Sequence, residues 1–155
     1  MRISHSVAQM GHLPSSAGRL DSQASGSKLR GAMPCVLCHP PADRVLVSND
    51  HAIALWDGFP VTPLHVLVVP RRHVVDFFGL CETELLACNA LLRAAREAVI
   101  RIDSAVCGFN VGANVGETGG QTVFHCHLHL IPRRVGDVEN PRGGIRNVIP
   151  GKGPY

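Results

Sequence analysis

Between Phe124 and Pro132 the chain reads FHCHLHLIP, which sets His125, His127 and His129 at every second position among apolar residues. Imidazole gains and loses its proton near neutral pH, and its neutral form is both a metal ligand and a nucleophile. On an extended strand the three rings leave one face, while Phe124, Cys126, Leu128 and Leu130 leave the other. A helix would scatter the rings around its axis at about 200° per step. The spacing therefore predicts a strand with one buried apolar face and one imidazole row. Two chemistries suit such a row. Rings at i and i+2 can chelate a metal. Alternatively, one ring attacks phosphorus, forming a labile phosphoramidate that water resolves while its neighbours hold the phosphate.

The residues just upstream bear on that choice. NVGANVGETGGQT (110–122) carries four glycines, with Asn114 and Thr122 as short polar side chains ahead of the row. Consecutive backbone N–H groups in such a turn can cradle an anion, although a Gly-rich turn alone is usually only a turn. A second constellation is Cys35-Val-Leu-Cys38. The pair is read as half of a zinc site, with a thioredoxin-like redox pair as the rival. A redox pair wants a helix N-terminus after it, and Pro40-Pro41 oppose one. Zinc needs two more ligands, and His39 sits too close to Cys38 to join it easily.

Two separated blocks, in the same order, resemble the histidine triad (HIT) nucleotide hydrolases and transferases. GGQTVFHCHLHLI matches the family's alternating His–apolar signature, and DGFPVTPLHVLVVPRRH (57–73) matches its acidic, Pro, His and apolar-strand block. The likeness runs from about residue 34 to 134. It implies an α+β fold of about five mostly antiparallel strands with one long helix and a short helix. It implies that His127 is the nucleophile at a nucleotide α-phosphate, with His129 and His65 on the phosphate oxygens. Thr122 and Gly120 would contact the phosphate or leaving group. Asn114, Gln121 and Asp57 complete the expected nucleotide contacts, Asp57 at the ribose. It further implies a structural zinc on Cys35, Cys38, His73 and His125, and a homodimer. The expected substrates are adenosine polyphosphates or phosphoramidates. Two departures stand out: Gly58 replaces a large apolar residue expected against the base, and Leu64 replaces the glycine expected before His65.

The elements that must position these groups are legible more coarsely. RVLVSND and HAIALWD (44–57) read as two strands meeting near Asn49-Asp50, LHVLVVP (64–70) as a third and AVCGFNVG (105–112) as a fourth. His65 shares a face of the third with Leu67 and Val69. From Glu84 to Ile102, Leu85, Cys88, Leu92, Ala95, Val99 and Ile102 recur at helical spacing. Strands before and after one long helix argue α+β with a largely antiparallel sheet.

At 155 residues the chain suits one domain. No apolar run approaches the roughly 18 residues that would cross a membrane, and a net charge of +3 is too small to argue for nucleic acid. Six cysteines without a secretory leader point to a reducing, cytoplasmic setting. Cys81, Cys88, Cys107 and Cys126 are expected to be small buried residues. Residues 1–33, rich in Ser and Gly, read as a disordered extension, with an organellar presequence as the sharper alternative. The HIT-like domain then spans 34–155. Its Gly/Pro-rich end, basic at Arg142, Arg146 and Lys152, reads as a surface loop able to fold over the phosphates. A non-catalytic nucleotide sensor, an all-zinc histidine module and an enzyme of adenylated DNA ends are the competing functions.

Overall fold

A computed structural model describes residues 35–153; the expected disordered extension lies outside the described residues. Five strands form one antiparallel sheet: β1 (Val45–Ser48), β2 (Ala52–Trp56), β3 (Val66–Pro70), β4 (Val106–Gly112) and β5 (Leu128–Arg134). Their order is β1-β2-β3-β5-β4, so β5 enters between β3 and β4. One long helix, α1 (Glu82–Ile102), links β3 to β4 across one face, and the remaining helical turns are short 3-10 segments.

The alternation within each strand decides which face carries chemistry. Ala52, Ala54, Val66, Val68, Leu128 and Leu130 point to the helix side, where they pack with Cys88, Leu91, Ala95 and Val99. Small residues on β2 let the helix approach closely. Ile53, Leu55, Leu67 and Val69 point the other way and pack with Leu37. Both faces of β2 and β3 are thus buried, which explains their nearly continuous apolar sequences. His65 precedes β3 in the phase of Leu67, and β5 pairs Leu67 with His129. Both imidazoles therefore belong to the face opposite the helix.

Local chemistry fixes the ends of these elements. Asn49 accepts from the backbone N–H of His51 and Ala52 and donates to the carbonyl of Ala87, so one side chain makes the β1–β2 turn and pins α1 to it. At the start of α1 the Glu84 carboxylate accepts from the Cys81 N–H, closing the first turn. Arg72 grips the same carboxylate with two bonds of 2.8 Å. This hold keeps the Glu84 carboxyl down at about 2. The buried stripe runs Glu84, Cys88, Leu91, Ala95, Val99. Leu85 and Ile102, expected on the seam, are exposed. The middle of the seam, Cys88, Ala95 and Val99, is as expected, and its N-terminal end is taken by the capping carboxylate of Glu84 that Arg72 holds. Cys88 and Cys126 are buried as expected, but Cys81 and Cys107 are exposed, one capping a helix and one on the edge strand β4.

Candidate active site

The site begins where β2 leaves the sheet. Asp57 turns back on itself, its Oδ1 accepting the Phe59 N–H at 3.0 Å. A second turn follows, in which the His65 N–H donates to the Thr62 carbonyl. Pro63 supplies the second position of that turn, and Leu64 occupies the third at φ +68°. A left-handed residue with a Cβ costs roughly 1–2 kcal/mol. This is the physical reason for a glycine at that position, and the chain carries the strain directly beside His65.

A hydrogen-bonded row runs from this turn into β5. Asp57 Oδ2 lies 3.1 Å from His65 Nδ1, and His65 Nε2 lies 3.1 Å from His129 Nδ1. A carboxylate accepts only, so it fixes the proton on His65 Nδ1. His65 Nε2 is then the acceptor, His129 Nδ1–H the donor, and His129 Nε2 a bare lone pair. That last atom is buried and has no partner. Burial lowers the His65 pKa, partly opposed by Asp57. Burial, then the neighbouring His127 and His65, pushes His129 down to about 4. Both rings are neutral at pH 7. The carboxylate expected at the ribose is thus engaged with His65 and the Phe59 amide.

Only His129 lies within regular strand. β5 starts at Leu128, and His125 and His127 occupy a bent lead-in without sheet partners. The expected strand from Phe124 is corrected accordingly. Cys126 donates its N–H to the Val74 carbonyl, so the lead-in is tied to the segment after β3 instead. Phe124 is 44% exposed rather than buried, while His125 and His127 are 0% and 8% exposed. The imidazole row is as buried as the apolar one. His127 Nδ1 donates to the carbonyl of His125 at 2.8 Å. That bond leaves the lone pair on Nε2. The His127 ring stands edge-on to His129, with centroids 5.1 Å apart.

The glycine loop is held by a side chain with a different part from the one expected. Gln121 is buried and donates to the carbonyls of Val75 and Val123, while its oxygen accepts the Gly116 N–H. Its amide is committed to the main chain, so it shapes the loop from within. Gly116 and Gly120 take positive φ, which the tight reversal requires. Asn114, Gly120 and Thr122 are exposed on this loop, and a Cβ on Gly120 would come within 3.9 Å of the Asn114 amide. A cavity of about 500 Å³ opens here, lined by His65, His129, Gly112, Asn114, Ile145 and Val148 among others. Ile145 and Val148 come from the C-terminal 3-10 turn Gly144–Val148, which lies over β4, and Gly112 gives the Ile145 side chain room. His127 does not line this cavity, though its ring touches that of His129, which does.

A second cluster gathers Cys35, Cys38, His73 and His125, their ligand atoms all within 4.8 Å of one another. Both Cys35 and Cys38 Sγ lie 3.5 Å from His125 Nδ1, and Cys38 Sγ lies 3.2 Å from His73 Nδ1. Tetrahedral zinc with ordinary bond lengths places S and N about 3.6 Å apart. His125 Nε2 donates to the Pro70 carbonyl at 2.9 Å, which turns the Nδ1 lone pair toward the sulfurs. The donor set, spacing and tautomer fit zinc. His39 is outside the cluster, as its position next to Cys38 suggested. Asp57, His65 and His129 also lie within 4.8 Å of one another, but their facing atoms are taken up along the row, which leaves His129 Nε2 as its one unpartnered nitrogen. The remaining thiols are poor nucleophiles where buried: burial pushes Cys88 up to about 11 and Cys126 up to about 12.

Three positioning groups escaped the sequence reading. The Arg72–Glu84 pair joins the segment carrying His73 to α1. Arg134 binds Asp103 and reaches the Thr62 hydroxyl, bracing the turn before His65. The Pro70 carbonyl orients His125. The first two were visible only as charged residues of unknown partner, and the third has no side-chain signal at all.

Comparison with known proteins agrees with this geometry. The HIT domain profile matches residues 41–136. An uncharacterized HIT-like protein of Saccharolobus solfataricus is 36% identical over 104 residues, covering 63% of this chain and 73% of that one. One from Mycoplasma genitalium is 40% identical over 88 residues, covering 56% of this chain and only 60% of its relative's length. A solved zinc-bound histidine triad family protein of Mycobacterium smegmatis superposes with a TM-score of 0.61 at 33% identity, over 69% of this chain and 80% of that one. From motif order, fold and sequence alike, this chain belongs to the HIT domain family.

Proposed function

We propose that this protein is a nucleotide hydrolase or nucleotidyl transferase acting at the α-phosphate of an adenosine polyphosphate or phosphoramidate. The observation that carries the reading is the bond from His127 Nδ1 to the His125 carbonyl, which leaves Nε2 as a lone pair in a fixed direction. In the first step Nε2 attacks the α-phosphorus, forming an N–P bond as the P–O or P–N bond to the leaving group breaks. The leaving group takes up a proton from solvent water and departs, and the later attack of water on phosphorus returns a proton to solvent. Water then attacks phosphorus, the N–P bond breaks, and the nucleoside monophosphate leaves with His127 restored. His127 keeps its Nδ1 proton throughout, and the developing positive charge is stabilised by the carbonyl that accepts it. His65, His129 and the exposed Asn114, Gly120 and Thr122 are assigned to the phosphate oxygens and leaving group. Asp57 sets the proton on His65, and Gln121 holds the loop.

Zinc, bound by Cys35, Cys38, His73 and His125, would serve as a structural crosslink between the N-terminal turn and the segment that carries His127. A cytoplasmic location belongs to the same reading, since free thiols able to hold zinc persist in reducing compartments. So does a homodimer, for which the open edge of β4 is available. The test is to incubate the protein with a panel of adenosine polyphosphates and phosphoramidates. Quenched samples are then analysed by mass for a nucleotidyl adduct on His127. Turnover without an adduct at His127 would overturn the mechanism. Tight nucleotide binding without turnover would favour a sensor.

A further inference from the structure

Leu64 holds φ +68° in a turn that leucine does not favour, and its neighbours show what keeps it there. The Thr62–His65 turn is closed by the His65 N–H on the Thr62 carbonyl, with Pro63 second and Leu64 third. Proline followed by a left-handed residue is the type II arrangement, which prefers glycine at the third position. The same four residues can close a type I turn, with the same closing bond and a negative φ at the third. The two forms differ by a flip of the peptide between Pro63 and Leu64, which turns the Pro63 carbonyl to the opposite side. For glycine the left-handed form is unstrained, whereas for leucine it is disfavoured by about tenfold in population.

Two contacts offset that preference. The Leu64 side chain packs, partly buried, against the helix-side core. The other contact acts on the carbonyl itself. Arg134, the last residue of β5, donates from Nη2 to the Pro63 oxygen at 3.3 Å and from Nη1 to the Thr62 hydroxyl at 3.1 Å. Its Nε and Nη2 also hold Asp103 Oδ2, at 2.9 and 2.7 Å. Asp103 is itself fixed, its Oδ1 accepting the Ala105 N–H and its own N–H donating to the Val99 carbonyl at the end of α1. The guanidinium therefore runs from an anchored carboxylate to the one carbonyl whose direction separates the two turns. A flipped peptide would take that oxygen away from it.

On the hydrolase reading above, we infer that Arg134 is a positioning residue, which locks the Pro63–Leu64 peptide in its type II orientation and thereby places His65. His65 leaves the turn directly, and its ring must meet Asp57 at Nδ1 and His129 at Nε2, both at 3.1 Å. Asp57 follows β2 and His129 lies in β5, so neither end of the row can follow a His65 that moves with the turn. The lock is needed because position 64 is leucine. A glycine there would hold the turn unaided.

The experiment reads the peptide directly. The second residue of the turn has ψ of about +120° in type II and about −30° in type I, so its Hα lies close to the next N–H only in type II. The Overhauser effect between the Pro63 Hα and the N–H of residue 64 is measured on the full chain, on Arg134→Met and on Arg134→Lys, each with and without Leu64→Gly. Arg134→Lys keeps a cation for Asp103 but not the planar fork, and it serves where Arg134→Met does not fold. The effect should be strong in the parent, weaken in both Arg134 variants and return when Leu64→Gly is added. Turnover of the fastest substrate in the panel should follow it. Arg134→Met should lower kcat/KM by about tenfold, and the double variant should stay within about twofold of Leu64→Gly alone. The melting temperature should not recover with the activity, because glycine also gives up the leucine packing. An unchanged Overhauser effect in the Arg134 variants, or a loss of kcat/KM that Leu64→Gly leaves in place, would overturn the lock. If the parent turns nothing over, the hydrolase reading fails and the Overhauser effect alone decides the lock.

Discussion

Two histidine clusters lie within one short segment of each other, and they are wired in opposite ways. In the Cys35–Cys38–His73–His125 group, His125 spends its N–H outward on the Pro70 carbonyl and turns its lone pair inward, toward two sulfurs. In the Asp57–His65–His129 row the N–H groups point along the row toward the carboxylate, and the one unpartnered lone pair faces away at its end. Inward lone pairs converging on soft donors make a cation site. Head-to-tail imidazoles anchored by a carboxylate make a neutral row that ends in a buried, unpartnered lone pair. The neighbouring groups, and through them the tautomer, separate ligand from reagent. His127 stands between the two clusters, and its proton is placed by the carbonyl of His125, a member of the Cys/His cluster.

The largest expected effect severs chemistry from metal. His127→Ala should lower turnover by at least about 10³-fold while nucleotide affinity stays within an order of magnitude. Its zinc content, read by elemental analysis, should equal that of the parent. An empty metal site in this variant would merge the two clusters and refute the division. The reciprocal change comes next. The protein should hold about one zinc per chain, and Cys35→Ser should reduce that content and lower the melting temperature by about 10 °C or more. His125→Ala should behave similarly and lose activity in part, because the segment carrying His127 loses its anchor. His129→Ala should impair turnover without releasing metal.

A smaller effect belongs to the link between the segment carrying His73 and the helix. The folded Glu84 carboxyl sits near 2, below its ordinary 4.5, so its contribution to stability is complete above 4.5 and fades as pH falls toward 2. Glu84→Gln should flatten the acid limb of the stability profile in that window, measured by denaturant melts at each pH. The smallest effect concerns Leu64. At φ +68° alanine keeps the strain and loses the packing, whereas glycine loses the packing and sheds the strain. Leu64→Gly should therefore be the more stable of the two by about 1 kcal/mol, the reverse of the usual order. An ordinary alanine advantage would refute the strain.

What the sequence made legible was whatever depends on side-chain type at fixed spacing. The alternation of FHCHLHLIP and the C-x-x-C pair marked the three histidines and two cysteines, the family resemblance added Asp57, His65 and His73, and apolar periodicity placed five strands and α1. What escaped it depends on the main chain. Nothing in the residue types says that β5 begins only at Leu128, since the bend before it is set by which carbonyl the Cys126 N–H meets. The helix seam was misread because Glu84 scores as polar yet is buried by Arg72. Gln121 looked like a ligand contact because an amide beside glycines suits a phosphate as well as it suits the loop's own carbonyls.

The carbonyl of His125 has a consequence for how such a protein can change over time. A proton held by a side-chain carboxylate is lost by a single substitution, but a main-chain carbonyl is present whatever residue occupies the position. The orientation of the His127 ring is thus shielded from mutation so long as the segment keeps its path. Selection then acts on the path, through the Cys/His cluster and Gln121. Gly58 and Leu64, where this chain departs from the family's pattern, lie in the turns between Asp57 and His65 rather than on that segment, Leu64 with a positive φ.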